Sequence, residues 1–367
     1  MVRLKKILIE ILKIPSVSND KGSLKKVIDY VQNLLKDKNL YIERIERNEK
    51  PSLYVSFKKN YTPSILFAGH LDVVPPDSEE QFKPVEKNGR VYARGALDMK
   101  GSCACMIELL LEMIEKGEKG DIGFLFTTDE EVGSKDGVEV WVKEKGLLPK
   151  FVIIPDGGIG FKIINEGKGV LHVRFKAEGR SAHGSTPWEG ENAADKLIDL
   201  YKEYRKWVDS EKGLPEEPGW KVTLSLGRIN AGKAVNIVPS EGEMELDFRF
   251  PSPWNVKSFE ERLREFLKDY KGVDMEIISY GEPFYTPRDN PYVEKFSEIV
   301  RKITGKAEFG KIYGATDGRF FSEKGIACIM IYPLGNGIHG KEEWVDIDSL
   351  FKLKEIFYLF IKGLWKK

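Results

Sequence analysis

Hydrophobic residues recur at helical spacing near the amino terminus and then gather into short continuous runs. Residues 4–12 and 24–35 place apolar side chains three and four positions apart, which predicts two amphipathic helices. Residues 101–114 also have the length and composition of a helix. Around these segments lie short apolar runs of strand length, at residues 53–57, 64–68, 121–128 and 151–154. Such runs separated by helices predict a mostly parallel sheet with helices on both faces.

The pattern changes to an alternation of apolar and polar residues from about residue 169. This alternation predicts antiparallel strands with one solvated face, at residues 170–177, 221–226 and 243–250. Two helices and a further strand are predicted in the same region, at residues 192–208, 256–270 and 274–279. The region therefore predicts a small α+β unit of four strands and two helices.

After residue 287 the pattern returns to a long helix, residues 292–303, and a buried strand, residues 327–332. We therefore predict an α/β fold in which helices flank a mixed, mostly parallel sheet, with a smaller α+β domain inserted into it. The sheet domain would comprise residues 1–168 and 287–367, and the inserted domain residues 169–286.

Composition narrows the class of protein. A chain of 367 residues favours two domains. The formal net charge is zero, and the longest apolar runs are far shorter than the roughly 20 residues that span a bilayer, so we expect neither a nucleic acid nor a membrane as a partner. The first 16 residues predict an amphipathic helix and not a signal peptide. The three cysteines are expected to be small buried side chains in a reducing compartment, which predicts a cytoplasmic protein.

Acidic and histidine side chains occur where the predicted buried strands end. The candidates are His70 and Asp72, Asp98 in the turn before the third helix, Glu130 and Glu131, Asp156, and His339. Open α/β sheets bind their ligands at the carboxyl ends of the strands. Each of these residues alone is also compatible with a turn, a helix cap or a solvated surface.

Taken together, the same residues favour a metal centre. Carboxylates next to buried apolar runs must be paired or metal-bound, because burying a bare carboxylate is costly. Two histidines with aspartate and glutamate carboxylates form a nitrogen and oxygen ligand set that suits zinc, and also cobalt or manganese. The sequence therefore predicts a metal centre at the carboxyl edge of the sheet.

Four strings of the sequence resemble the signature motifs of one enzyme family. They are GHLDVVP (residues 69–75), RGALDMKG (94–101), TDEEVG (128–133) and SAHG (181–184). The family is that of the zinc exopeptidases and deacylases, which includes acetylornithine deacetylase, succinyl-diaminopimelate desuccinylase, glutamate carboxypeptidase and aminoacylase. The resemblance covers essentially the whole chain in the same order. It implies a zinc-exopeptidase-like catalytic domain with an inserted lid and dimerisation domain, and a metal-dependent hydrolase for the amide bond of a small N-acyl amino acid.

The resemblance also implies a set of metal ligands for two divalent ions, zinc being favoured over cobalt or manganese. Asp98 would bridge the two ions. His70 and Asp156 would complete one site, and Glu131 and His339 the other. Two such ions lower the pKa of a shared water and polarise the carbonyl group that is cleaved.

Two further carboxylates receive roles from the resemblance. Asp72 would hold the imidazole of His70 and fix its tautomer. Glu130 would act as the general base for the water that the two metals share. The peptide bond between Asp98 and Met99 is expected to be cis.

Residues of the predicted lid are implied to contact the substrate. His183 would bind the carbonyl oxygen of the substrate in the active site of a partner subunit, which predicts a homodimer formed through the lid. Its alternative is a solvated loop residue. Asn236, Arg249 and Thr316 match positions that contact the substrate. For Arg249 an exposed sheet arginine is an equal alternative, and for Thr316 the alternative is a rigid loop.

One residue departs from part of the family. Deacetylases, desuccinylases and carboxypeptidases of this family usually have glutamate where this chain has Asp156, whereas dipeptidases, aminopeptidases and aminoacylases more often have aspartate. An exopeptidase for short peptides therefore stays open beside the deacylase. A non-catalytic metal-binding scaffold and a two-metal phosphoesterase are alternatives of other classes. The presence of Glu130 argues against the scaffold.

Overall fold

The computed structural model describes residues 2–213, 217 and 219–365. The predicted domain ranges also include residues 1, 214–216, 218, 366 and 367, which lie outside this part of the chain. The helices are α1 (Val2–Leu12), α2 (Lys21–Leu35), α3 (Gly101–Glu115), α4 (Val138–Lys143), α5 (Ala193–Ser210), α6 (Val256–Leu267), α7 (Pro291–Thr304), α8 (Gly318–Ser322) and α9 (Ile347–Trp365). The strands are β1 (Tyr41–Arg47), β2 (Lys50–Ser56), β3 (Ile65–His70), β4 (Val85–Lys87), β5 (Arg90–Tyr92), β6 (Ile122–Thr127), β7 (Phe151–Ile154), β8 (Ile163–Gly167), β9 (Gly169–Glu178), β10 (Thr223–Ala231), β11 (Glu241–Phe250), β12 (Val273–Gly281), β13 (Phe284–Tyr285), β14 (Phe309–Ile312), β15 (Ala327–Met330), β16 (Gly335–Asn336) and β17 (Trp344–Asp346).

The first compact unit is built on a mixed sheet. It comprises Met1–Glu166, Tyr285–Ile312 and Thr316–Lys367. The strand order is β1-β2-β6-β3-β7-β15-β8-β13, with β14 paired to β8. The pairs β3–β6, β3–β7 and β7–β15 are parallel, while β1–β2 and β2–β6 are antiparallel. The predicted α/β fold with a mostly parallel centre and flanking helices is therefore confirmed.

Aromatic and aliphatic side chains from the sheet and from its helices form the core of this unit. Phe67 of β3 stacks on Phe124 of β6, with ring centroids 5.4 Å apart, and lies 4.9 Å from the ring of Phe357 in α9. Helix α3 contacts both α1 and α9. The polar ends of the strands are thus held on a rigid, buried scaffold.

The register of the parallel strands brings their carboxyl ends to one edge. His70, the last residue of β3, pairs with Thr127, the last residue of β6. Met330, at the end of β15, pairs with Ile154, at the end of β7. The residues that follow these four strand ends are therefore neighbours in space.

A small antiparallel sheet joins two distant parts of the same unit. Its strand order is β16-β17-β5-β4. Trp344 pairs with Tyr92 and Val345 with Val91. This pairing places the segment before α9 beside the segment that leads into Asp98.

The second compact unit comprises Gly167–Phe284 and Tyr313–Ala315. Its antiparallel sheet has the order β10-β11-β9-β12. Alternate residues of β9 and β11 are buried, and α5 and α6 pack on them around Tyr204, Phe248 and Phe259. The four strands and two helices predicted from the alternating pattern are present. No helix among the described residues is both long and apolar enough to cross a membrane.

Candidate active site

The imidazole of His70 is held in one orientation by the residue two positions later. His70 is 1% exposed, and its Nδ1 lies 3.0 Å from the backbone carbonyl oxygen of Asp72 and 3.4 Å from the carboxylate of the same residue. A carbonyl oxygen only accepts hydrogen bonds, so Nδ1 is a donor, and Nε2 is the nitrogen that would bind a metal ion once the ring is neutral. Nε2 faces Asp98 Oδ1 at 3.2 Å and Asp156 Oδ1 at 4.0 Å.

Asp72 supports both His70 and the turn that carries the two glutamates. Its buried carboxylate accepts hydrogen bonds from Ser18 Oγ at 2.8 Å and from the backbone N–H groups of Glu130 and Glu131 at 3.2 Å each. Burial opposes its ionisation, but the hydrogen bonds from His70, Ser18 and Glu130 lower the pKa of Asp72 overall. Asp72 therefore stays a carboxylate and fixes the positions of His70 and of the turn that carries Glu130 and Glu131.

Asp98 lies between two imidazoles. Its Oδ1 is 3.2 Å from His70 Nε2, and its Oδ2 is 3.1 Å from His339 Nε2. Burial opposes the charge of Asp98, but its hydrogen bonds to His339 and His70 hold the pKa of this carboxyl far below its usual range. A carboxylate with one oxygen towards each of two imidazoles has the arrangement that a metal bridge requires. The expected cis peptide bond between Asp98 and Met99 is confirmed.

The remaining candidate ligands lie on opposite sides of Asp98. Glu131 Oε1 is 3.2 Å from His339 Nε2, and Asp156 is on the side of His70. The donor atoms of His70, Asp98 and Glu131 lie within 4.8 Å of one another, as do those of His70, Glu130 and Asp156. The structure thus brings together the residues predicted as ligands.

The charges of this cluster fit divalent cations. Burial and the neighbouring charge of Asp98 raise the pKa of Asp156 well above its usual value. Burial likewise raises the pKa of Glu130, and the charge of Asp156 adds to this effect. Hydrogen bonds to Asp98 and Glu131 raise the pKa of His339 to about 10. In the bare chain protons therefore compensate the crowded carboxylates, a role that bound divalent ions would take over.

Two residues that sequence reasoning missed contact the bridging carboxylate or its loop. The hydroxyl group of the buried Tyr332 hydrogen bonds to Asp98 Oδ1 at 2.9 Å and to Asp156. Glu343 accepts hydrogen bonds from the backbone N–H groups of Gly95, Leu97 and Asp98. Tyr332 ends a predicted strand, which was the one signal for it, whereas no pattern distinguishes Glu343 from the adjacent Glu342.

Thr316 belongs to a loop that lies next to the turn carrying Glu130 and Glu131. Its Oγ1 accepts a hydrogen bond from the backbone N–H of Gly318 at 3.3 Å. Arg319, in the first turn of α8 directly after this loop, donates to the carbonyl oxygen of Gly133 at 2.8 Å. The neighbouring carboxylate of Asp317 contributes to raising the pKa of Glu130, after burial and the charge of Asp156. The loop of Thr316 therefore faces the acidic cluster.

His183 and Asn236 lie on adjacent loops of the second unit. His183 pairs with Ile237, and Gly184 donates its N–H to the carbonyl oxygen of Asn236 at 2.8 Å. The ring of His183 is exposed, and its Nδ1 accepts a hydrogen bond from the backbone N–H of Ser185 at 3.1 Å. A backbone N–H only donates, so the proton of the neutral ring is on Nε2, which faces away from this contact. His183 therefore offers an outward N–H donor.

Arg249 is engaged within the second unit. Its Nε and Nη2 atoms lie 2.8 and 3.1 Å from the two carboxylate oxygens of Asp247. Burial opposes the charge of Asp247, but contacts with His172 and Arg249 lower its pKa to about 2. The carboxylate of Asp247 therefore occupies the guanidinium group of Arg249 in this structure.

Comparisons with known proteins place this geometry in a family. The profile of peptidase family M20/M25/M40 matches residues 66–363. Succinyl-diaminopimelate desuccinylase from Thiobacillus denitrificans is 30% identical, over 95% of this chain and 91% of the relative. The enzyme of the same name from Bordetella petrii is also 30% identical, over 88% of each chain.

Solved structures share the fold over nearly the whole chain. Aminopeptidase PepT from Bacillus cereus has a TM-score of 0.81 at 18% identity, covering 100% of this chain and 99% of that one. A metallo-carboxypeptidase of the M20 family, Sso-CP2 from Sulfolobus solfataricus, has a TM-score of 0.76 at 20% identity and covers 99% of both chains. Bacillus subtilis YXEP, described as a dinuclear metal binding peptidase, has a TM-score of 0.69 at 16% identity, covering 99% of this chain and 98% of that one. Because the family profile and the curated relatives span most of the sequence, this chain belongs to peptidase family M20/M25/M40.

Proposed function

We propose that the protein hydrolyses the amide bond of a small N-acyl amino acid with two divalent metal ions bound by His70, Asp98, Glu131, Asp156 and His339. The family makes the chain a metal-dependent amidohydrolase. The observation that carries the two-ion proposal is the position of Asp98, whose two oxygens face two different imidazoles. Zinc suits this nitrogen and oxygen ligand set, and cobalt or manganese would also fit it.

The chain's own residues supply the proton transfers. When bound, the ions would polarise the scissile carbonyl group and lower the pKa of a shared water. Glu130 would accept the proton of that water and deliver it to the leaving nitrogen. Its position is supported by the hydrogen bond that its own backbone N–H donates to the carboxylate of Asp72.

His183 is proposed to donate a hydrogen bond to the substrate's carbonyl oxygen in the active site of a partner subunit. Its outward Nε2–H and its exposure support this role, because a donor to a developing oxyanion must not be used elsewhere. Homodimerisation through the second unit is supported by β10, an edge strand that exposes Leu226 and Ile229. A two-fold axis would give each subunit the same loop from its neighbour.

The remaining residue roles are proposed as substrate contacts. Asn236 would act with His183, since the backbone of one loop pairs with that of the other. Thr316 would contact the substrate from the loop that faces the acidic cluster. Arg249 would bind the carboxylate of the amino acid, in exchange for its partner Asp247. The three free, buried cysteines support a cytoplasmic location.

An exopeptidase for short peptides is a second candidate. Asp156 is the observation that favours it, because aspartate at this position resembles the dipeptidase, aminopeptidase and aminoacylase branches. The desuccinylase names of the curated relatives favour the N-acyl amino acid instead. The chemistry at the cluster would be the same for both substrates.

A hydrolysis screen separates these candidates. The protein, loaded in turn with zinc, cobalt or manganese, would be given succinylated and acetylated amino acids, dipeptides and tripeptides, and a phosphate ester. Turnover of an N-acyl amino acid above that of the peptides supports the proposal, and preference for peptides supports the second candidate. The Glu130→Ala protein serves as the control for contaminating hydrolases. Absence of any amide hydrolysis in a protein with two bound ions would contradict both candidates and favour a scaffold.

A further inference from the structure

Glu343 is a buried glutamate outside the predicted ligand set. It is 1% exposed, and its carboxylate accepts four hydrogen bonds from the loop that carries Asp98. Oε2 accepts from Arg94 Nη1 at 3.1 Å and from the backbone N–H of Gly95 at 2.9 Å. Oε1 accepts from the backbone N–H groups of Leu97 at 2.9 Å and of Asp98 at 3.0 Å. We propose that Glu343 is a positioning residue that fixes the Asp98 loop in the conformation that binds the two metal ions.

The fold brings Glu343 to this loop from the far end of the chain. Pairing of β17 with β5 sets Trp344 opposite Tyr92, and the N–H of Ala93 donates to the carbonyl oxygen of Glu343 at 3.1 Å. Glu343 is the residue directly before β17, and it is thereby held next to the start of the loop that carries Asp98. A rigid backbone ladder therefore sets the distance between its carboxylate and the loop.

Only a carboxylate satisfies this loop. The N–H groups of Gly95, Leu97 and Asp98 would otherwise be buried without partners, and both oxygens of Glu343 are used to accept them. A glutamine has one acceptor oxygen, and its NH₂ group would face N–H donors. The charge of Arg94 compensates the buried charge of Glu343.

The same network also reaches the second imidazole. Arg94, whose Nη1 pairs with Glu343, donates through Nη2 to the backbone carbonyl oxygen of His339 at 3.1 Å. The loops of Asp98 and His339 are thus connected through one ion pair, although they are far apart in sequence. His339 Nε2 and Asp98 Oδ2, which lie 3.1 Å apart, would both shift if this connection were lost.

The inference rests on the proposed function, because it assigns Glu343 to the geometry of the same metal site. Groups that orient metal ligands without touching the metal typically contribute about 10- to 100-fold in metal affinity. We therefore expect Glu343→Gln to weaken metal binding by roughly that factor while the protein stays folded. The ion shared by Asp98, Glu131 and His339 should be the more affected of the two.

The test titrates cobalt or zinc into chelator-treated protein by calorimetry and records the visible absorption spectrum of the cobalt form. Glu342→Gln is the matched control, because Glu342 is adjacent, carries the same substitution and is exposed. Glu343→Asp is the conservative variant: it keeps the charge opposite Arg94 but is one methylene shorter. It should lose less affinity than Glu343→Gln, and the control should bind as the wild type does.

Each outcome bears on one claim. Weaker binding with an altered cobalt spectrum in Glu343→Gln supports the positioning role. A folded Glu343→Gln protein with wild-type affinity and spectrum would overturn it, even if its melting temperature were lower. If Glu343→Gln does not fold, Glu343→Asp decides, and wild-type affinity in that variant overturns the role. A wild-type protein that binds fewer than two ions contradicts the proposed function itself and not the role of Glu343.

Discussion

His70 and Asp72 of the first compact unit and His183 of the second lie in opposite surroundings. In the first unit His70 and Asp72 are at most 1% exposed, and both are hydrogen bonded to neighbours within the unit. In the second unit His183 is exposed, and Trp188 and Val235 on the same pair of loops are 76% and 105% exposed. His70 and Asp72 are therefore held in place by hydrogen bonds to neighbouring residues of their unit. The ring of His183 is hydrogen bonded to Ser185 of its own loop and is otherwise exposed.

This difference indicates what the residues of each unit need in order to function. Crowded, buried carboxylates require a cation or protons within the same unit. An exposed N–H donor in water contributes little to catalysis until the surrounding solvent is displaced. We therefore expect substitutions in the first unit to act through metal and proton transfer, and those in the second unit to act through a partner molecule.

The largest effect is expected at Glu130. The Glu130→Ala protein should lose about 100- to 10,000-fold in kcat, because the proton acceptor is removed. Its two ions should remain, since the five proposed ligands are unchanged. Elemental analysis and steady-state kinetics on the same preparation test both statements. A near-normal kcat would show that another residue acts as the general base.

His183 provides the corresponding test of the second unit. The His183→Ala protein should lose roughly 100- to 1,000-fold in kcat, the range found when one oxyanion donor is removed, with unchanged metal content. Mixed and refolded with Glu130→Ala subunits, it should regain activity, because a site that retains Glu130 receives an intact His183 from its neighbour. Mixtures shown to contain mixed dimers that stay inactive would place His183 in its own chain's site or outside catalysis.

The sequence was most informative where function and fold depend on short strings of residues. Continuous and alternating hydrophobic runs predicted central strands of the large sheet and the sheet of the second unit. Three of the motifs contain the ligands His70, Asp98 and Glu131, whereas Asp156 and His339 were predicted from their positions after buried strands. The residues it missed act over long sequence separations: Ser18 and Asp72 are 54 positions apart, Tyr332 and Asp98 are 234, and Glu343 and Arg94 are 249. No local pattern encodes such contacts, because each joins segments that are distant in sequence.

Several elements of the fold were not predicted from the sequence. Helix α9 is one of them, although its exposed residues Asp348, Lys352 and Glu355 recur at helical spacing. The strands β4, β5, β16 and β17 have only two or three residues each, too few for an alternation to be detected. These short strands nevertheless position Glu343 beside the Asp98 loop.

Metal binding should stabilise the two units unequally. At a free metal concentration of 100 times the dissociation constant, one site adds about 2.7 kcal/mol to the free energy of unfolding. Hydrogen exchange measured with and without a chelator should show the protection in residues 94–101 and 128–133, and little change in residues 181–190. The Asp98→Asn protein is the control, because it should lose the stabilisation. Equal protection of residues 181–190 would contradict the expectation that metal binding stabilises mainly the first unit.

The smallest expected effects come from the same substitution made once in each unit. Ser18 donates to the buried carboxylate of Asp72 at 2.8 Å, and Ser185 donates through Oγ to the exposed His183 at the same distance. The Ser18→Ala protein should lose about 1–3 kcal/mol of unfolding free energy, because a buried charged acceptor is left with one donor fewer. The Ser185→Ala protein should change by no more than about 0.5 kcal/mol, since water replaces the hydroxyl group. Its backbone N–H still donates to His183 Nδ1, so the tautomer with an outward Nε2–H persists and kcat should stay near the wild-type value. Urea denaturation of the metal-free proteins measures both free energies, and equal losses would show that Ser18 is as solvated as Ser185.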